Sequence, residues 1–274
     1  MTGARMNEPE AVCGKVGAKS VPNAVKPAAT SAYWLAVKPF GGRHRSGPSR
    51  PVPLLQEKRS RILKLIAHRG WSSGAGENTL AALRRAAAEP GVSGVELDLR
   101  RADDGRLAIS HDRPQPGAAT FDEVVRFISG TRFDAFVELK EPGFALEAVR
   151  KLAAGGLAGR SVVFGPDKLL QKMYGERPVA LGIIAAYPWQ IPRLAAAFSP
   201  DVILLGWDER AWTRLAFRAW WSVFSLRRMG QRYSAEVVVG VARRASDVRW
   251  LRRQGIDAAV IDMAAIGAPG QALK

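Results

Sequence analysis

From Arg61 onward, short apolar runs alternate with stretches whose apolar residues recur every three to four positions, the pattern of strands and helices around a parallel sheet. Nine runs read as strands: 63–68, 95–100, 106–110, 135–140, 161–165, 178–184, 201–206, 236–242 and 258–263. Helical periodicity falls between them at 79–89, 144–154, 189–198 and 245–254. The turn Arg101-Ala102-Asp103-Asp104-Gly105 is too short for a parallel crossover, which takes about a dozen residues, so the second and third runs form an antiparallel hairpin. Setting that arm aside leaves eight strands. The fold class predicted is α/β: a TIM (β/α)8 barrel with a short β-hairpin after its second strand.

Residues 1–60 show neither period. Rich in Gly, Pro, Ser, Lys and Arg, they read as a disordered basic N-terminal extension, leaving a barrel over 61–267 and a C-terminal tail at 268–274. The chain carries 41 Lys and Arg against 25 Asp and Glu, a net charge of +16, and 1–60 holds ten of those bases against three acids. Much of the charge therefore lies outside the barrel. A basic balance suits phosphate, a membrane surface or nucleic acid, but no nucleic-acid recognition motif accompanies it, so no specific nucleic-acid partner is expected. The lone Cys13 excludes an intramolecular disulfide and a cysteine-rich zinc site. The apolar stretch 32–37 is too short for a membrane span and poorly placed for a signal peptide. A cytoplasmic location, with peripheral membrane contact, is the expectation.

The polar exceptions within the strands carry the chemistry. Residues i and i+2 of a strand share a face about 6.6 Å apart, so Glu96 and Asp98 point together, as do Glu138 and Lys140, while Val95, Leu97 and Leu99 face the other way. Burying neighbouring carboxylates is costly unless a cation neutralises them. A divalent metal resolves that cost most simply. Active sites of TIM barrels occupy the C-terminal strand ends, where His68 closes the first strand, Asp98 nearly closes the second and Lys140 closes the strand that follows the hairpin. The hairpin arm delivers His111 to the same rim, so two histidines, three carboxylates, Arg69 and Lys140 are expected at one mouth.

In chain order, His68-Arg69-Gly70, Glu77-Asn78-Thr79, Glu96-Leu97-Asp98, Asp104-Gly105, His111-Asp112, Glu138-Leu139-Lys140 and the late run Gly255 to Asp262 resemble the glycerophosphodiester phosphodiesterase family. The likeness spans residues 64–263. It implies a TIM barrel that hydrolyses small-molecule glycerophosphodiesters to glycerol 3-phosphate and an alcohol with a divalent cation, commonly Ca2+ or Mg2+. By that likeness Glu96, Asp98 and Glu138 hold the metal, His68 and His111 serve as general acid and base, and Arg69 with Lys140 grips the phosphate. The residue types agree with this chemistry. All-oxygen ligation favours a hard cation over zinc, and imidazole exchanges protons near neutral pH. Between His111 and Glu138 lie 26 residues, fewer than the family implies, so a more open mouth is expected.

Other residues have plainer readings. Asn78 precedes a helix and is expected as its N-cap. Asp112 reads as a turn residue, and His44 lies in the tail. The stretch 210–232 holds six arginines, no acid, and Phe217, Trp220, Trp221 and Phe224 at helical spacing, a basic amphipathic helix that packs on the barrel or meets a membrane. Two other functions fit the same residues: a phospholipase C- or D-like barrel acting on intact lipid or lysolipid, and a catalytically retired barrel binding anionic membranes.

Overall fold

The strand runs fold as strands because their two faces are both apolar. In the computed structural model, residues 63–71, 76–170 and 178–266 are described; the extension 1–60, the tail 268–274, Cys13 and His44 lie outside them. The strands are β1 (Lys64–His68), β2 (Val92–Arg101), β3 (Leu107–Ile109), β4 (Asp134–Leu139), β5 (Ser161–Gly165), β6 (Ala180–Ile184), β7 (Val202–Leu205), β8 (Glu236–Ala242) and β9 (Ala258–Ile261). Parallel pairing runs from β2 through β4 and on in chain order to β9, then β1, which pairs back to β2. This closes an eight-stranded barrel. The remaining strand, β3, lies antiparallel on the end of β2, with Leu99 opposite Ile109, as the short turn requires.

Closure divides the core in two. Ile66, Phe136, Val162, Phe164, Val202, Leu204, Val238 and Val260 fill the interior. Their neighbours Leu65, Val95, Leu97, Leu99, Val137 and Leu139 point outward against the helices. Continuous burial on both faces is what parallel barrel strands need, and Glu96, Asp98 and Glu138 stand on the inward side among aliphatic residues.

The outer layer comprises α1 (Leu80–Ala87), α2 (Phe121–Ser129), α3 (Ala145–Ala154), α4 (Asp167–Leu170), α5 (Ile191–Phe198), α6 (Ala211–Val223), α7 (Leu226–Tyr233), α8 (Ala245–Gln254) and α9 (Met263–Ile266). The segment after His111 leads directly into α2, whose start is set by a capping box in which Thr120 and Glu123 bond each other's backbone. The stretch 210–232 is two helices, not one. Its α6 part ends at Phe224, and Ser225 starts α7 by accepting a hydrogen bond from the Arg228 amide. Phe217, Trp220 and Trp221 pack inward, whereas Phe224, placed on the same face by its spacing, is exposed because the helix has already ended.

Candidate active site

Parallel register builds the acidic cluster. Asp98 of β2 stands beside Glu138 of β4, and Glu96 lies two residues earlier on the same face, with His68 of β1 alongside. Adjacent strands are about 4.8 Å apart, so side chains in register share one space. One ligand oxygen from each of Glu96, Asp98 and Glu138 lies within 4.8 Å of the others, the one such group among the described residues.

Two cations clamp this cluster. Lys140 Nζ lies 2.8 Å from Glu138 Oε1 and 2.9 Å from Asp98 Oδ1. Arg69 Nε lies 2.8 Å from Asp98 Oδ2, and its far nitrogen 2.8 Å from Glu77 Oε2. His68 Nε2 is 3.8 Å from Glu96 Oε2. Six of the seven residues singled out in the sequence, all but His111, thus meet at one end of the barrel. The Arg69 amide also donates to the Glu96 carboxylate at 3.3 Å.

The turn that carries Arg69 is constrained on both sides. Arg69 and Asn78 adopt left-handed φ of 54°, and the Asn78 amide donates to the Arg69 carbonyl at 3.0 Å. Gly70 has φ 84°, and a Cβ there would come within 2.8 Å of Ala82 at the start of α1. Asn78 is not the N-cap of α1. Thr79 takes that role, accepting from the Ala82 amide, because the left-handed Asn78 turns its buried side chain inward to Asp98. Asparagine suits a cap and a left-handed turn alike, so the sequence did not separate the two.

His111 follows the hairpin arm directly. The Ser110 amide donates to the Asp98 carbonyl at 2.9 Å, which brings the hairpin arm to the rim. The imidazole itself is 47% exposed and hydrogen bonds to Asp112 Oδ1 at 3.0 Å. Arg100 holds the His111 carbonyl.

Electrostatics separate the groups. Burial pushes the Glu96 carboxyl well above the usual carboxylate range, and Asp98 and Glu138 push the same way. Burial also opposes charge on Asp98, but Lys140, Arg69 and the Asn78 amide outweigh it and hold that carboxyl below its ordinary value. Burial, then the Arg69 guanidinium, lowers His68 to about 4, so its imidazole is neutral. Four carboxyl groups, Glu77, Glu96, Asp98 and Glu138, gather around two cationic side chains, Arg69 and Lys140. The residues therefore fit a divalent ion: the oxygens converge, and Glu96 needs positive charge beside it to ionise.

A cavity of about 630 Å³ opens against His68, Glu96 and Glu138 and runs under the segments that follow β6 and β7 to α6. Pro188, Trp207, Thr213 and Phe217 are among its lining residues. The sequence reading missed this wall, although the tryptophans of 207–221 signalled it.

Residues 68–178 match the model of the glycerophosphoryl diester phosphodiesterase family. A glycerophosphodiester phosphodiesterase 1 from Rattus norvegicus is 48% identical over 189 residues, 63% of this chain and 54% of that protein. A glycerophosphodiester phosphodiesterase from Caldanaerobacter subterraneus subsp. tengcongensis is 37% identical over 113 residues, 41% of this chain and 35% of that protein. The chain spans about half or less of the length of these relatives. A solved glycerophosphodiester phosphodiesterase from Agrobacterium tumefaciens shares the fold at TM-score 0.56 and 18% identity, covering 73% of this chain and 96% of that one. So does an Oleispira antarctica phosphodiesterase in complex with its product sn-glycerol-3-phosphate, at TM-score 0.53 and 20% identity over 74% of this chain and 93% of that one. The hairpin and the acidic cluster fall within residues 68–178, and that stretch of the chain is similar to the glycerophosphoryl diester phosphodiesterase family.

Proposed function

We propose that this protein hydrolyses glycerophosphodiesters to glycerol 3-phosphate and an alcohol, with Ca2+ or Mg2+ held by Glu96, Asp98 and Glu138. The observation that carries the reading is the convergence of those three carboxylates beside His68, Arg69 and Lys140 at one barrel mouth. A bound divalent cation supplies polarisation of a phosphate oxygen and offsets the charge that displacement loads onto the phosphoryl group. Arg69 and Lys140, already turned toward Asp98, orient the diester's remaining oxygens. Neutral His68 has a free lone pair for the proton of the attacking hydroxyl, from water or from the substrate's glycerol. At the rim, His111, oriented by Asp112, returns a proton to the leaving alkoxide. The one product named for the Oleispira antarctica neighbour, sn-glycerol-3-phosphate, and the relatives' names point the same way.

The test is release of glycerol 3-phosphate from glycerophosphocholine or glycerophosphoethanolamine, with Ca2+ or Mg2+ and then with EDTA. His68→Ala is expected to lower kcat at least a hundred-fold, the range that about 10²–10⁴ for one proton-transfer group implies.

A further inference from the structure

The helix α6 is apolar on two sides. Phe217, Trp220 and Trp221 pack on the barrel, yet the side turned to solvent carries Trp212, Leu215, Ala216, Ala219 and Val223, all exposed. An outer helix ordinarily shows water a polar face. Seven large apolar side chains are exposed among the described residues, and six of them gather here. Trp212, Leu215, Val223 and Phe224 lie on α6 or at its end, and Tyr187 and Trp189 line the same cavity as Trp212. With about half of the ~150–250 Å² of a large ring left in water, the six offer roughly 600 Å² before any polar rim is added. A standard interface buries about 800 Å² per partner, rim included.

Charge narrows what covers this face. The two basic residues of α6, Arg214 and Arg218, both turn inward to Oδ1 of the buried Asp247 on α8, at 3.0 and 3.2 Å, and Arg218 also lies over the Trp250 ring at 5.3 Å. Arg210, at the N-terminal edge, faces Asp208 Oδ2 at 3.9 Å. The outer side of α6 is therefore uncharged. An anionic lipid surface is met by Lys and Arg ranged beside the apolar residues, and the arginines of this helix are engaged by Asp247 instead. Two copies of a chain carrying +16 can approach only where like charges do not meet, and this face satisfies that condition.

The helix ends set the direction. Exposed Asp208 and Glu209 precede α6, and exposed Arg227 and Arg228 follow it. A two-fold axis across the helix brings the acidic end of one copy to the basic end of the other and opposes the helix dipoles; parallel copies would set like charge on like. We propose that the protein forms a homodimer in which α6 packs antiparallel on α6 of a second copy, with the axis near Ala216 and Ala219 and Trp212 against the partner's Val223. Charged pairs at the rim then fix orientation while the apolar face supplies the affinity. The dimer requires neither metal nor substrate.

The experiment is sedimentation velocity of the full chain across micromolar concentrations. A reversible dimer is expected, with a dissociation constant that falls as salt is added, because screening weakens repulsion between two +16 chains while apolar contact persists. Leu215→Glu and Ala219→Lys each set like charges across the axis, and each should raise that constant roughly a hundred-fold, about tenfold for each of the two copies. Mixing the two variants should restore the dimer, since Leu215 of one copy faces Ala219 of the other. A chain that stays monomeric throughout, a dimer unmoved by both substitutions, or mixed variants that stay apart would overturn the proposal. Phosphatidylglycerol vesicles test the lipid alternative: capture of a strictly monomeric chain, abolished by Leu215→Glu, would give the face to a membrane and overturn the second copy. Should the variants not fold, amide hydrogen exchange of the unaltered chain decides. The amides of α6 should exchange more slowly as concentration rises, and a rate independent of concentration would overturn the dimer.

Discussion

Asn78 and Asp98 bind each other twice: the Asn78 amide donates to Asp98 Oδ2 at 2.9 Å, and the Asp98 backbone N–H donates to Asn78 Oδ1 at 3.2 Å. Both residues are buried, so the pair fixes one carboxylate of the acidic cluster in place and satisfies groups that would otherwise be stranded. Asn78→Gly tolerates the left-handed backbone but loses both bonds. It is expected to weaken divalent-ion affinity by about 10–100-fold, as removal of a partner that orients a metal ligand does. Titration of Ca2+ or Mg2+ by calorimetry checks this; unchanged affinity would remove Asn78 from the site.

Glu96 titrates far above an ordinary glutamate because it is buried, with Asp98 and Glu138 adding to the effect. In the metal-free fold its contribution to stability is fully present below the ordinary glutamate value of 4.5 and declines as pH rises toward its folded value. Divalent-ion binding at a pH below the folded value of Glu96 should therefore release a proton, measurable as heat that varies with the buffer's ionisation enthalpy. Glu96→Gln is expected to abolish both proton release and activity while raising the metal-free Tm.

A second acid lies far from this chemistry, at the first position of β8. Burial raises Glu236 to about 8, with Asp257 adding to it and Lys64 opposing. Its carboxylate has an oxygen that is buried without a partner. Between pH 4.5 and about 8 the folded form keeps a proton that the unfolded chain loses, so stability falls across that window as pH rises. Glu236→Gln should flatten the decline of Tm between pH 5 and pH 9 without changing kcat.

Gly70 couples the His68-Arg69-Gly70 turn to α1. A Cβ there would approach Ala82 to 2.8 Å while the backbone keeps φ 84°. Gly70→Ala should cost at least about 1–3 kcal/mol, read as a lower denaturation midpoint, and should also lower activity by moving Arg69 away from Asp98.

Strand alternation made most of this site legible. Glu96 and Asp98 between Val95, Leu97 and Leu99 face the interior as their period of two requires, and the five-residue turn at 101–105 turned the chain back into a hairpin. What escaped the sequence depends on geometry between segments. Asn78 reads as a helix cap until its φ places it against Asp98. Position along the hairpin brings His111 to the rim without saying where its ring points, and it turns to Asp112. The helical spacing of 217, 220, 221 and 224 overran the cap that Ser225 provides for the next helix. The aromatic wall was visible as a cluster of tryptophans, yet only closure of the barrel sets it beside the carboxylates.

The most direct measurement is glycerol 3-phosphate release from glycerophosphocholine by the unaltered chain and by Glu96→Gln, each with Mg2+ or Ca2+ and with EDTA. Release that requires the ion and disappears in a folded Glu96→Gln variant is the result predicted. Release that persists in EDTA or in Glu96→Gln would contradict a divalent-ion site built from Glu96, Asp98 and Glu138.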